Sequence, residues 1–206
     1  MKEQLAAMLV MQDEMNTKVH PRWNEQGFHW YRAIWTECAE LMEHYGWKWW
    51  KKQAPDLEQV KLEIIDIWHF GMSILLLSGK SISELSEEIA ADLETPRADG
   101  GFREAVENFA GDTILTKSFN TARFAEVMKA AEMSFDDLYI GYVGKNVLNF
   151  FRQDHGYKDG TYVKQWNGRE DNEHLVDIVQ ALNPISENFR EELYEGLKTK
   201  YVELTA

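Results

Sequence analysis

The sequence predicts an all-α fold, and three observations carry that expectation. Apolar residues recur at three- and four-residue spacing through most of the chain. No stretch shows the strict alternation of a half-buried strand. Helix stop and start residues fall where the periodicity breaks, at Gly46, Asp56, Gly79 and Ser134. The expected architecture is a helical bundle formed by residues 1–206 as one domain. Within it, a stretch at about 80–135 reads as a smaller, peripheral and mobile helical part.

Taken in order, residues 2–18 form a helix presenting Leu5, Met8, Leu9, Met11 and Met15. HPRWNEQG (20–27) is a loop. A second helix spans about 30–45 and stops at Gly46. The turn GWKWWKKQAP leads to Asp56, an N-cap for a third helix that continues to Ser78 and stops at Gly79. Ser83 begins a weaker helix, and TPRADGG (95–101) is the clearest linker. Residues 102–133 are amphipathic but polar. Ser134, with Asp137 three residues later, caps a helix running to His155. A Gly- and Tyr-rich loop, YKDGTYVKQWNG, follows Gly156, and the tail from Glu170 is helical with a break near Pro184.

Composition narrows the function. The chain has 206 residues, 44% hydrophobic, with a net charge of -13. That charge argues against broad affinity for nucleic acid or anionic lipid. A small anionic ligand would need metal ions, a local basic patch, or both. The most apolar run, Ile64 to Leu77, is interrupted by Asp66, His69 and Ser73, and is too short and polar for a membrane span. The N-terminus lacks the basic region and apolar core of a signal peptide. The single Cys38, set in TECAEL, can form no internal disulfide. A cytoplasmic setting is the expectation.

Two acidic pairs carry the chemistry. Glu37 and Glu40 lie three apart on the second helix, and Glu63 and Asp66 three apart on the third. Side chains at that spacing leave a helix on one face. Four carboxylates converging across two packed helices make an oxygen cage for a hard divalent cation, Mg²⁺ or Mn²⁺. Such pairs are common on solvated helix faces. The third helix weighs against that reading, because Ile64, Ile65, Ile67, Trp68, Phe70, Ile74, Leu75 and Leu77 surround its acids. Burying like charges without a cation is costly, and Lys61 is the only basic residue on this helix. Glu43 continues the row and is expected further out.

Between Gly141 and Arg169 the chain carries Lys145, Arg152, Lys158, Lys164 and Arg169 against Asp154 and Asp159. Lys145, Asn149 and Arg152 share one helix face. A solvated helix end would account for this segment alone. Beside a carboxylate cage, it reads as the cationic half of a polyphosphate clamp.

These residues resemble the dimeric dUTPase family, a branch of the all-α NTP pyrophosphatases. The matching stretches are QDEMN (12–16), TECAELMEHYGWKWWK (36–51), LEIIDIWHF (62–70), GKNVLNFFRQDHGYKDGTYVKQW (144–166) and EDN (170–172). The resemblance leaves about 80–135 uncovered. It implies that Glu37, Glu40, Glu63 and Asp66 ligate Mg²⁺, two or three ions with substrate bound, with Mn²⁺ a substitute. It implies that Gln12 and Asn16 read the uracil edge, that Trp49 and Phe70 wall the base pocket, and that His69 lies beside it. Lys145, Asn149, Arg152, Lys158, Tyr162, Lys164 and Asn172 resemble the sugar and phosphate binders. The implied reaction converts dUTP, and also dUDP, to dUMP through a metal-activated water oriented by Glu40, in a homodimer. Three rivals remain: a dCTPase or broader NTP pyrophosphohydrolase of the same superfamily, a di-iron bundle built on Asp66 and His69, and a non-catalytic interaction protein. A di-iron bundle needs a second carboxylate–histidine pair, and the other D-x-x-H, Asp171 to His174, lies outside the core block. An interaction protein leaves Glu63 and Asp66 in their apolar stripe unexplained.

Overall fold

The computed structural model describes residues 1–96, 100–184, 186 and 188–205. Its helices are α1 (Lys2–Val19), α2 (Trp30–Tyr45), α3 (Leu57–Leu76), α4 (Ile82–Glu94), α5 (Phe102–Thr116), α6 (Thr121–Ala130), α7 (Phe135–Asp154), α8 (Asp171–Ala181) and α9 (Phe189–Thr205). A short 3₁₀ turn, Trp23–Glu25, precedes α2. Of the expected linker at 95–101, residues 97–99 lie outside the described residues, as do 185 and 187 beside the expected break at Pro184.

The caps act where their residue types predict. Asp56 accepts a hydrogen bond from the Gln59 N–H. Ser134 and Asp137 form a reciprocal capping box. A second box, Ser81 with Glu84, starts α4 one residue before the expected Ser83. The third helix ends at Leu76, two residues short of Ser78.

α3 is the central element. It packs along α2 and also meets α1 and α7. Val60, Ile64, Ile67, Trp68 and Met72 are fully buried along it. Residues 102–133, expected at the periphery, form α5 and α6 and send aromatic rings into the same core. Phe124 stacks on Trp68 with centroids 5.2 Å apart, and Phe109 and Phe119 join them. Averaged polarity hides this, because the polar residues of these amphipathic helices face outward while Phe109 and Phe124 are fully buried.

The loop after α7 contains the only β-strands among the described residues. Two two-residue strands, β1 (Gln165–Trp166) and β2 (Arg169–Glu170), pair antiparallel with Trp166 opposite Arg169. Asn167 and Gly168 between them both have positive φ, the requirement of a tight hairpin turn. Trp166 is fully buried and stacks on His174 at 5.1 Å. This anchor holds Lys164 and Asn172 beside α7.

Candidate active site

The α2–α3 packing brings carboxylates together. Ligand oxygens of Glu37, Glu63 and Asp66 all lie within 4.8 Å of one another. Glu40, a turn along α2, lines the same cleft but is exposed and stands outside this set. Glu43 lies further out, holding Trp47 Nε1 at 2.6 Å and Lys48 Nζ at 2.8 Å.

The electrostatics are those of crowded acids. Burial, then the charge of Asp66, then a hydrogen bond with Glu63 push Glu37 up to about 8. Glu63 is raised by burial and by Asp66. His44 Nε2 lies 3.5 Å from Glu63. Asp66 is countered by Lys145 of α7, whose Nζ donates to Oδ2 at 2.9 Å. The neutralising cation therefore comes from another helix and not from Lys61 of α3, a contact that the sequence alone does not announce.

These acids form one wall of a cleft of about 740 Å³. Of the residues singled out from the sequence, Gln12, Asn16, Glu37, Glu40, Glu63, Asp66, His69, Phe70, Lys145, Asn149, Arg152, Lys164 and Asn172 line it. Trp49, Lys158 and Tyr162 do not. Trp49 is 90% exposed and touches Trp50 edge-on. Trp23, Phe28 and Trp30 provide the aromatic wall instead, with Trp30 6.2 Å from Phe70. Trp23 and Phe28 come from the segment before α2, where periodicity carries no signal, and Trp30 is the first residue of α2. Lys158 donates to the Val19 carbonyl at 3.3 Å.

Tyr162 stands behind the cleft. Its hydroxyl donates to Asp171 at 2.9 Å, and Arg152 grips the same carboxylate through Nε and Nη2, both at 2.8 Å. Burial alone would raise Asp171, but the Arg152 guanidinium outweighs it and holds the carboxyl low. Asp171 is fully buried. It was not singled out from the sequence, although it adjoins Asn172 in the matched EDN stretch.

The deep end of the cleft is a polar network. Gln12 Nε2 donates to Asn16 Oδ1 at 3.0 Å and to Ser73 Oγ at 3.2 Å. Gln12 Oε1 faces His69 Nδ1 at 2.8 Å and the Tyr142 hydroxyl at 3.2 Å. Both ends of the Gln12 amide are thus engaged by protein. Burial lowers His69 to about 3, so the imidazole is neutral. Burial pushes the Cys38 thiol up to about 12, which leaves it inert as a nucleophile.

A second groove of about 540 Å³ runs between α3, α7 and α8 and meets the cleft at Gln59 and Asn172. Its lining is mainly apolar and holds none of the clustered carboxylates. Among the described residues no helix is long and apolar enough to cross a membrane. A family model described as dUTPase matches residues 4–157. No curated protein matches the chain.

Proposed function

The chain belongs to the dUTPase family and is a dUTP diphosphatase, and from that premise we propose how its cleft binds and cleaves the nucleotide. One observation carries the reading. A single cleft has one part lined by clustered carboxylates and the cations Lys145, Arg152 and Lys164, and another lined by aromatic and amide side chains. A pyrimidine nucleoside triphosphate has the same division, with a flat apolar base at one end and a polyanion at the other.

The donor set fits Mg²⁺ or Mn²⁺. Three carboxylates offer hard oxygen ligands within 4.8 Å of one another. Glu37 retains a proton up to about 8 among these neighbours, and a divalent cation would relieve the repulsion that holds it. Glu37, Glu63 and Asp66 are the proposed ligands, with Glu40 completing the set when nucleotide is present and two or three ions in place. Such ions, when bound, acidify a water and screen the phosphates.

The protein's own groups do the rest. Lys145, Asn149, Arg152, Lys164 and Asn172 orient the sugar and phosphates and stabilise the charge that develops on the phosphates. Asp171 and Tyr162 hold the Arg152 fork in place. Glu40, open to solvent at the cleft, orients the attacking water and takes its proton. Asn16, His69 and Phe70 form the base end together with Trp30. Hydrolysis of dUDP as well as dUTP would place attack at the β-phosphorus. The resemblance to dimeric enzymes supports a homodimer, which light scattering tests.

Pyrophosphate release from dUTP, dCTP, dTTP and UTP, with and without Mg²⁺, tests the reading. Magnesium-dependent release with dUTP preferred is expected. Preference for dCTP would hand the site to the dCTPase reading, and turnover indifferent to chelators would remove the metal.

A further inference from the structure

The hydrogen-bond network at the base end has a proton order, and it starts from the His69 backbone carbonyl. The His69 carbonyl can only accept, so Ser73 Oγ–H, 3.0 Å away, donates to it. The Ser73 oxygen then accepts from Asn16 Nδ2 at 3.0 Å and from Gln12 Nε2 at 3.2 Å. That points the Gln12 amide nitrogen at Ser73 and its oxygen at His69. Gln12 Oε1 can only accept, so His69 Nδ1 must carry the imidazole proton. His69 Nε2 is therefore a bare lone pair. It is buried and has no partner among the described residues.

Two of the unpartnered buried side-chain atoms belong to residues that line the cleft, and they differ in kind. His69 Nε2 is an acceptor, and Trp30 Nε1–H is a donor. Asn16 adds a second donor, since Nδ2 has two hydrogens and Ser73 takes one. One acceptor with two donors complements an acceptor–donor–acceptor edge. Uracil presents that edge as O2, N3–H and O4. Cytosine presents a lone pair at N3 and an amino donor at C4.

We propose that His69 Nε2 selects uracil by accepting its N3–H, and that Ser73, acting through Gln12, is the positioning residue that keeps this nitrogen unprotonated. Gln12 then supports the reader and does not read the base itself. This deepens the dUTPase reading and rests on the cleft being its nucleotide site. A cytosine placed there would set lone pair against lone pair and leave buried groups unpaired, the arrangement that discriminates most strongly. Without Ser73, Gln12 is free to turn over and offer its nitrogen to Nδ1. The imidazole proton would move to Nε2, and the site would then tolerate cytosine.

Two measurements on the full chain test this. Long-range ¹⁵N–¹H correlation on ¹⁵N-histidine-labelled protein, with His69 identified by signals lost in His69→Gln, should show a neutral Nδ1–H ring. Steady-state kinetics of Ser73→Ala with Mg²⁺ should show the dUTP:dCTP ratio of kcat/KM falling by at least about tenfold, chiefly through dCTP gaining. A purely structural role for Ser73 would lower both substrates together and leave the ratio unchanged, which overturns the proposal. An Nε2–H tautomer in a wild-type protein that cleaves dUTP also overturns it, without touching the functional reading, and does so even if Ser73→Ala fails to fold. A wild type that cleaves no pyrimidine nucleotide overturns both.

Discussion

Lys145 and Asp66, 79 positions apart in sequence, meet with Nζ 2.9 Å from Oδ2. The pair sits beside Glu37 and Glu63 and carries the positive charge nearest to this acidic cluster. Removing it should leave the carboxylates uncompensated. Lys145→Ala is expected to lower the stability of metal-free protein by about 1–3 kcal/mol. That is below the ~3–5 kcal/mol typical of a fully buried pair, because the Asp66 side chain is 23% exposed. Urea denaturation in EDTA measures it, and Mg²⁺ should recover part of the loss. An unchanged midpoint would show that the pair contributes nothing.

Glu37 gives the pH dependence. Its folded-state pKa of about 8 lies above the ordinary glutamate value of 4.5. The folded protein therefore binds more protons than the unfolded chain between these values. The associated stability is fully present below about 4.5 and is lost as pH rises through about 8. In EDTA the melting temperature should fall across this window, and Glu37→Gln should flatten that fall. Stability that rises between pH 6 and 8 in wild type and Glu37→Gln alike would contradict this assignment.

The carboxylate cluster is expected to bind the activating cation. Residues that merely support metal ligands cost about 10–100-fold in affinity when replaced. Glu63→Gln and Asp66→Asn should each weaken Mg²⁺ binding by at least this much and abolish most dUTP turnover. Calorimetry with Mg²⁺ and a pyrophosphate assay read the two effects. Variants that bind Mg²⁺ and turn over like wild type would remove these residues from the site.

Asp171 is expected to matter through Arg152. It is fully buried, and replacing it with Ala leaves a nearly buried guanidinium without its partner. The cost should be about 3–5 kcal/mol, read by denaturation. In protein that remains folded, KM for dUTP should rise more than kcat falls. A variant with wild-type stability would mean that Arg152 finds another partner.

Gly71→Ala probes how residues 102–133 join the core. Alanine is worth about 1 kcal/mol over glycine within a helix. Here, however, a Cβ would run into the Phe119 ring. Overpacking of this kind costs about 1–3 kcal/mol, so a net loss is expected. A stabilised variant would show that Phe119 does not lie against α3.

Much of the site was legible because helical spacing is a local property. Glu37 with Glu40, and Glu63 with Asp66, declare one face each from position alone, and the apolar neighbours of Glu63 declare burial. The basic face of Lys145, Asn149 and Arg152 followed the same rule, and all three line the cleft. Trp49 shows the limit. The resemblance placed it at the base, whereas the fold leaves it exposed and brings in Trp23 and Phe28 from an aperiodic segment and Trp30 from the first turn of α2. Ser73 and Tyr142 were equally silent. A buried hydroxyl on an apolar helix announces neither its partners nor its direction.

The sequence by itself determined the helices, their caps and the residue types gathered at one site, because periodicity and capping depend on neighbours a few positions away. The tertiary structure decided what those residues do to each other. Only packing sets Lys145 on Asp66, Arg152 on Asp171, and Gln12 between Ser73 and His69. Charge states and proton order follow distances between distant segments, and a linear chain does not carry those distances until its helices meet.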